Sequence, residues 1–293
     1  MTDLPTTTLT PSPPPDLSSG GRTALRAGVV VVAALVLLGS IGGLTAAAVG
    51  IGNTRVIADS QTLPASMRTL TINTGTVPMR IHIETDDDAR EPRVDMRFVT
   101  VKQPGEQNLD IVTGPDTRIE VRGRTAEWLE WARAGELTVV LPPEVGRRLT
   151  VTTDQRLGVL DVDADLDRLV ARSTGGVVIL DGSARSIQAE VEHGTIVAHD
   201  PILVRETFSA TVIEGDIDVR FRDVAPRTVE ATSDDGAVVL GLPGDGPFLV
   251  NAMTTSDHDS AEVRVPQTTN RNEAESVVTA RTSGGDVVIE QTR

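Results

Sequence analysis

Four aspartates form the densest group of potentially reactive side chains, and they are spaced two residues apart: Asp161, Asp163, Asp165 and Asp167. Because side chains alternate between the two faces of a strand, this spacing puts four carboxylates on one side. Carboxylate oxygens are the ligands that Ca²⁺ prefers. The sequence has neither the nonapeptide calcium-binding repeat nor an Asp-x-Asp-x-Asp-Gly loop, however. We therefore interpret the four as a solvated charge row that protects strand edges from aggregation.

The other candidates for catalysis or metal binding are few. The four histidines share no metal-ligand spacing, since His193 and His199 flank one strand while His82 and His258 stand alone. The sequence contains no cysteine, which excludes disulfides, a thiol nucleophile and a thiolate metal site. It also lacks a nucleophile elbow, a phosphate-binding loop and a dinucleotide fingerprint. We predict no cofactor, no metal and no enzymatic activity.

The composition describes an acidic protein that must build its core from small aliphatic side chains. The 293-residue chain has a net charge of −15, a single lysine, 2% aromatic residues and no tyrosine. Val, Leu, Ile and Ala suit thin β-layers stacked on one another better than one bulky core. The acidic balance, without basic clusters, argues against nucleic acid as a partner.

Two segments precede the predicted strands. Residues 1–26 are rich in Thr, Ser and Pro, which predicts a disordered cytoplasmic tail. Residues 27–52 carry no charge, and at about 1.5 Å per residue they can cross an apolar layer about 30 Å thick, which predicts one transmembrane helix. Arg22 and Arg26 precede this helix, so the N-terminus is expected in the cytoplasm and the β domain outside the bacterial plasma membrane. A signal peptide cut after residues 46–48 is the alternative.

Residues 53–146 form an N-terminal β-strand region. Apolar residues such as Met79 and Ile81 alternate there with polar ones, which predicts half-buried strands. The exception is the segment with Trp128 and Trp131, where a short helix would place both rings on one side. We interpret these rings as a plug at one end of the β-core; a membrane-surface or ligand-stacking platform is the alternative.

Residues 147–293 repeat one pattern, in which an apolar residue is followed by Ala, then Gly, then a β-branched pair. The turn glycines of the copies are Gly176, Gly194, Gly215, Gly236 and Gly285. The first four are 18, 21 and 21 residues apart, and such a period indicates an array of stacked units. Each unit reads as a strand, a tight glycine turn and a second strand. We therefore predict an all-β, β-solenoid or β-helix-like fold of stacked two-strand coils.

The turn glycine implies either a backbone conformation that other residues tolerate poorly or close contact with the next coil. Two degenerate copies extend the array, one with Gly158 at the turn and one with Asp257 in place of glycine. The polar residues 254–260 and 267–276 read as an insertion before the last copy. The last strand ends almost at Arg293, which would leave an edge able to pair with another chain.

The second strand of each unit is also apolar on its outward face. Three residues after the turn glycine stand Ile179, Val197, Asp218, Val239 and Val288. A strand that is apolar on both faces is typical of a covered sheet. We expect the strands of residues 53–146 to provide that cover. The alternative is that the four apolar residues form an interaction surface for a partner.

The chain resembles the bacterial putative-adhesin family of β-strand-repeat proteins in its repeats and in two motifs. The motifs are Gly-Glu-Leu-Thr-Val-Val-Leu-Pro-Pro at residues 135–143 and Thr-Ala-Arg-Thr-Ser-Gly-Gly-Asp-Val-Val-Ile at residues 279–289. The resemblance covers roughly residues 55–293, and its motifs are structural. It implies an extracytoplasmic β-solenoid, often tethered to the membrane by one helix. It supplies no catalytic or binding residues.

These observations lead to one leading hypothesis and two alternatives. The leading hypothesis is a single-pass, membrane-anchored module of the cell envelope with a structural or protein-interaction role, whose partners are the membrane and an envelope protein or a second copy. The first alternative is a ligand-sensing or envelope-stress partner of another membrane protein. The second is a carbohydrate-active β-helix enzyme, which would need Asp161, Asp163 and Asp218 to line one groove.

Overall fold

The computed structural model describes residues 54–101, 109–121 and 135–292. The predicted cytoplasmic tail, the predicted membrane helix and the segment with Trp128 and Trp131 lie outside these residues. In the described part of the chain, no helix is both long and apolar enough to cross a bilayer. Thr54–Arg293 form one compact unit.

The described residues fold into strands and one short helix, which confirms the predicted all-β class. The elements are β1 (Thr54–Thr62), β2 (Thr69–Gly75), β3 (Met79–Thr85), β4 (Arg93–Val101), β5 (Leu109–Val112), β6 (Asp116–Val121), β7 (Gly135–Leu141), α1 (Pro143–Gly146), β8 (Thr150–Ala198), β9 (Leu203–Glu214), β10 (Ile217–Arg220), β11 (Thr228–Asp235), β12 (Val238–Leu242), β13 (Phe248–Thr254), β14 (Ala261–Arg264), β15 (Ser276–Gly284) and β16 (Val287–Gln291).

Backbone hydrogen bonds join these strands into two rows, and β8 belongs to both because its 49 residues pass through each row in turn. The first row runs β5–β6–β2–β8–β9–β11–β15–β13. The second row runs β1–β4–β7–β3–β8–β10–β12–β16–β14. Among the described pairs, only β1–β4, β4–β7 and β5–β6 are antiparallel. Successive repeat units therefore lie side by side with their strands parallel.

The pairing register aligns the repeat units residue by residue. In the first row the alanines of successive units lie next to one another: Ala189, Ala210, Ala231, Ala280 and Ala252. The apolar residues two positions earlier align in the same way and are buried: Ile187, Phe208, Val229 and Val278. Aliphatic side chains from the inward faces of the strands fill the core, and the rings of Phe208 and Phe221 meet edge to face at 5.2 Å.

The turn glycines form a column in which each backbone touches the one before it. A Cβ atom added to Gly176 would collide with the carbonyl oxygen of Gly158, and one added to Gly194 would collide with that of Gly176. The same contact occurs at the glycines that follow: Gly215, Gly236 and Gly285. The φ angles of the column lie between +119° and +152°, where residues with a side chain are strained. Glycine thus satisfies two requirements at one position.

The last two coils are stacked in the reverse of their order along the chain. β15 lies between β11 and β13, and β16 lies between β12 and β14. The segment with β13 and β14 is therefore the end of the stack. The prediction that the last strand leaves a free edge is wrong, because that edge is paired with β14.

The residue beside the glycine column in this terminal coil is Asp259, and the prediction of Asp257 is wrong. Ala261 pairs with Val287, which places Asp259 beside Gly285. The Gly285 amide donates a hydrogen bond to the Asp259 carboxylate at 2.8 Å. The connection between β13 and β14 is two residues longer than the turn between β15 and β16, which shifts the register.

The N-terminal strands extend both rows and do not cover them. β2 pairs with β8 in the first row, and β3 pairs with β8 in the second. The expectation that these strands cover the outward apolar residues is therefore wrong. The physical reason is that β2 and β3 bury alternate residues only, so each has one apolar face, which it uses for the common core. The boundary predicted between residues 146 and 147 stays a prediction.

Exchange of one turn glycine tests whether the column determines stability. We expect Gly176→Ala to lower the free energy of unfolding by about 2–4 kcal/mol, because the new Cβ meets backbone atoms and φ is +119°. Gly175→Ala is the matched control. Its Cβ would first meet the flexible end of the Leu157 side chain at 3.1 Å, so we expect a loss below about 1 kcal/mol. Urea unfolding followed by circular dichroism measures both, and equal losses would contradict the role of the column.

Candidate functional site

The second row has one outward side, called here the outer face, on which side chains of successive strands form columns. The central column contains Ser60, Asp95, Thr138, His82, Asp161, Ile179, Val197, Asp218, Val239, Val288 and Glu262. Its side chains are polar as far as Asp161 and mostly apolar from Ile179 onward. The outer face therefore has a charged half and an apolar half.

The apolar half contains the four residues predicted as an interaction surface: Ile179, Val197, Val239 and Val288. Each is half-buried, because neighbouring strands flank it on two sides. Asp218 lies between Val197 and Val239 and interrupts the apolar column. Its carboxylate lies 3.6 Å from the guanidinium of Arg220. The structure thus places the four predicted residues on one surface, with one paired charge among them.

In the charged half, Asp161 is the centre of four linked side chains. It is 8% exposed, and its Oδ2 accepts a hydrogen bond from Arg80 at 2.5 Å. The same oxygen lies 3.2 Å from Nδ1 of His82, whose Nε2 lies 3.4 Å from Glu84. A buried carboxylate costs free energy unless a charge or hydrogen bond compensates, and Arg80 supplies both. Arg80, His82 and Glu84 alternate along β3, so this one strand contributes three of the four groups.

A polar cavity of about 530 Å³ opens beside this group, over β1, β4 and β7. Charged side chains of both signs line it: Asp59, Glu84, Arg93, Asp95, Arg97 and Glu136. Arg93 and Asp95 lie 3.5 Å apart. A lining with so many charges is suited to a polar ligand or a charged segment of a partner and not to an apolar small molecule.

The charged half carries an excess of negative charge around Asp181. Burial raises the pKa of Asp181, and the carboxylates of Asp163 and Asp161 raise it further. The Asp200 amide donates a hydrogen bond to the Asp181 carboxylate at 2.9 Å, which opposes the increase. Mutual repulsion of carboxylates therefore makes this part of the outer face a favourable place for a basic group of a partner.

The four aspartates predicted as one charge row separate into two pairs. The first pair lies on the outer face, as described above. Of the second pair, Asp165 accepts a hydrogen bond from Ser183 at 2.5 Å, and Asp167 accepts two from Arg185 at 2.8 and 2.9 Å. Both partners stand 18 residues downstream, which is one coil away. The hydrogen bond from Arg185 lowers the pKa of Asp167, so this pair connects neighbouring coils.

Within the described ranges, no three His, Asp or Glu side chains are placed to hold a metal ion. His193 pairs with Glu214 of the next coil at 3.1 Å. Asp161 and Asp218 are three strands apart in the central column, which is about 14 Å at the usual strand spacing. Paired glycosidase carboxylates are roughly 5–9.5 Å apart, so these two aspartates do not form the groove that the carbohydrate-active hypothesis needs.

Sequence reasoning did not identify Arg80, His82 and Glu84 as part of the site. Their alternation with the buried Met79 and Ile81 is a signal that they share an outward face. Nothing in the local pattern indicates that β3 pairs with a segment of β8 whose aspartate is 81 residues downstream of Arg80. The contact depends on long-range topology.

No family model matches the chain, and no curated protein matches it. Solved structures do match. A putative adhesin from Bacteroides fragilis is 11% identical with a TM-score of 0.42, and the match covers 81% of this chain and 97% of that one. A putative adhesin from Parabacteroides merdae is 8% identical with a TM-score of 0.43, over 82% and 97%. A putative lipid binding protein from Parabacteroides distasonis is 11% identical with a TM-score of 0.40, over 83% and 98%. The first two carry the name of the family that the repeat motifs resemble.

Substitution of Asp181 tests the electrostatics of the charged half. Because its folded-state pKa is raised, the folded protein binds this proton more tightly than the unfolded chain does. Stability therefore falls as pH rises from 3.8 through the raised pKa. We expect Asp181→Asn, which keeps an acceptor for the Asp200 amide, to raise the Tm at neutral pH by about 1–2 °C. The Tm should be unchanged near the acid end, where Asp181 is protonated.

Asp167→Asn is the matched control with the opposite sign. The pKa of Asp167 is lowered, so its contribution is present above 3.8 and is lost as pH falls through the folded-state pKa. We expect this variant to have a lower Tm than the parent at neutral pH and the same Tm in acid. Scanning calorimetry across this pH range measures both variants. A lower Tm for Asp181→Asn at neutral pH would show that its carboxylate is not under repulsion.

Proposed function

We propose that the chain is a structural or protein-interaction module of the bacterial cell envelope, built as a membrane-anchored, extracytoplasmic β-solenoid. The observation that carries the proposal is the outer face, on which an apolar half and a charged half form one continuous surface. The described residues present this surface without a group of side chains arranged for a reaction. A binding role follows from that combination more directly than a chemical one.

The solenoid interpretation is supported by the parallel register. β9 and β11 pair with a constant offset of 21 residues, as Phe208 and Val229 illustrate, and β10 and β12 pair with the same offset. In such an array each unit contacts only its neighbours, and the stacked units give a long regular surface. An extended surface of this kind is suited to another protein.

The anchor and the location are supported by the sequence. Residues 27–52 are free of charge over a length that spans a bilayer. Two arginines precede this segment, which by the positive-inside rule puts the β-strands on the extracytoplasmic side. The net charge of −15 disfavours nucleic acid as a partner.

The size of the apolar half limits what it can contribute by itself. Burial of the exposed parts of its four aliphatic side chains would stabilise a complex by on the order of 3 kcal/mol. That free energy corresponds to millimolar affinity, so the apolar half alone does not hold a partner. We propose that the partner also contacts the charged half, where excess carboxylate selects a basic segment. Specificity would then come from the charged half and adhesion from the apolar half.

Protease accessibility tests the location. We expect an epitope tag at the C-terminus of the full chain to be digested in intact spheroplasts, because the β-strands lie outside the membrane. A tag at the N-terminus should be protected until the membrane is permeabilised. Protection of the C-terminal tag in intact spheroplasts would overturn the extracytoplasmic assignment.

Site-specific photocrosslinking tests the interaction surface. We expect a photoreactive amino acid at Val239, in the apolar half, to give a discrete adduct with another envelope protein in cells. Glu230, which is exposed on the first row, is the matched control position and should give none. Val197→Lys should abolish the adduct formed from position 239, because it places a charge in the apolar half. Equal adducts from positions 239 and 230 would show that the outer face is not special.

A further inference from the structure

The terminal coil gives the stack an edge in each row. β13 pairs only with β15, and β14 pairs only with β16, among the strands that the structure describes. The first residue of β13 has a further neighbour, since Phe248 bridges to Gln267. From Leu249 onward the far side of β13 has no strand beside it in the described part of the chain.

The backbone direction at this edge can be read from the bonds of Phe248. Its amide donates to the Pro266 carbonyl, and its carbonyl accepts from the Thr268 amide, each at 2.9 Å. Both groups thus point away from β15. Because backbone groups alternate along a strand, those of Val250 and Ala252 also point to the free side. Two donors and two acceptors are therefore available to a new strand.

The composition of β13 is unusual for a free edge. Natural proteins protect edge strands with charged side chains or proline, but β13 has neither in a chain of net charge −15. Met253 is 45% exposed, and the inward-facing Val250 and Ala252 are only partly buried, because no further coil lies over them. An unprotected strand over an incompletely covered core indicates an interface.

We propose that this edge pairs with the same edge of a second copy around a two-fold axis perpendicular to both rows. Such an axis reverses the strand direction and the stacking direction together, so each row continues as an antiparallel pair. With the axis at Asn251, the backbone groups of Val250 in one copy meet those of Ala252 in the other. On the outward side of the strand, Leu249 lies opposite Met253, an apolar pair. The self-association is independent of the protein that docks on the outer face.

The edge of the second row is complementary to itself in charge. β14 contains Glu262, Val263 and Arg264, and both charged residues are exposed. The Val287 amide bonds to Ser260, so by alternation the backbone groups of Val263 point to the free side. An antiparallel pair centred on Val263 places Glu262 of each copy opposite Arg264 of the other. The charges that protect β14 from other strands therefore favour its own copy.

A single cysteine at the axis tests this pairing in the full chain, purified in detergent. The chain has no cysteine of its own, so Asn251→Cys introduces one thiol per copy. Asn251 would form a non-hydrogen-bonded antiparallel pair, with Cα atoms about 4.5 Å apart, which is within disulfide range. We expect mild oxidation to give at least about tenfold more disulfide-linked dimer than Asn270→Cys, an exposed loop control. Equal yields from the two variants, or linkage of position 251 to a different protein, would overturn the proposal.

Charge reversal in β14 provides a second, independent measurement. Glu262→Arg places like charges opposite one another, and we expect it to reduce the dimer fraction in light scattering at least about fivefold. The double variant Glu262→Arg with Arg264→Glu restores opposite charges across the axis and should restore the dimer. Both positions are exposed, so circular dichroism should show both variants folded. A double variant as monomeric as the single one would contradict the antiparallel register. Failure here leaves the crosslinking test at Val239 unaffected, because that residue lies on the outer face.

Discussion

The contact between glycine backbones at the turn is the constraint on which the rest of the structure depends. Each turn rests on the backbone of the coil before it, so no residue with a Cβ fits and no coil can slip along its neighbour. A slip of one residue would also exchange the inward and outward faces of every strand. Extra residues must therefore enter away from the turn. Gly158, Gly176 and Gly194 are 18 residues apart within the unbroken β8, whereas the 21-residue units that follow have a connection between β8 and β9 and another between β10 and β11.

A fixed register also decides which outward side chains meet. Residues one coil apart become neighbours although the sequence separates them, and opposite charges occupy such positions: Arg172 binds Glu190, and Arg185 binds both Asp167 and Glu206. Exposed ion pairs contribute little to stability one by one. Their main effect here is on the surface, because a charge paired along a column is not available to a partner. The acidic excess around Asp181 and the apolar half are the parts of the outer face that this internal pairing does not satisfy.

The sequence predicts those features that each repeat unit encodes locally. The turn glycines, the aligned alanines and the inward apolar residues follow from spacing and alternation, because each copy carries the same information. The order of the last two coils does not follow, since β15 and β13 have similar patterns and either one could pair with β11. The position of Asp259 depends on a two-residue lengthening of one turn, which the stacking of the neighbouring coil reveals. The group around Asp161 depends on a pairing between β3 and β8 that no local pattern specifies.

The reversed order of the terminal coils determines how the stack ends. A parallel stack has an edge at each end, and the two ends differ here: β1 and β5 enter through antiparallel pairs, whereas β13 and β14 continue the parallel rows. The strand that follows Phe248 has no charge, and the strand that contains Glu262 and Arg264 has charges that match their own reversal. A head-to-tail contact would join unlike ends and could repeat without limit. Pairing of like ends around a two-fold axis uses up both edges and stops at two copies, which is the assembly that the unprotected β13 and the self-complementary β14 favour.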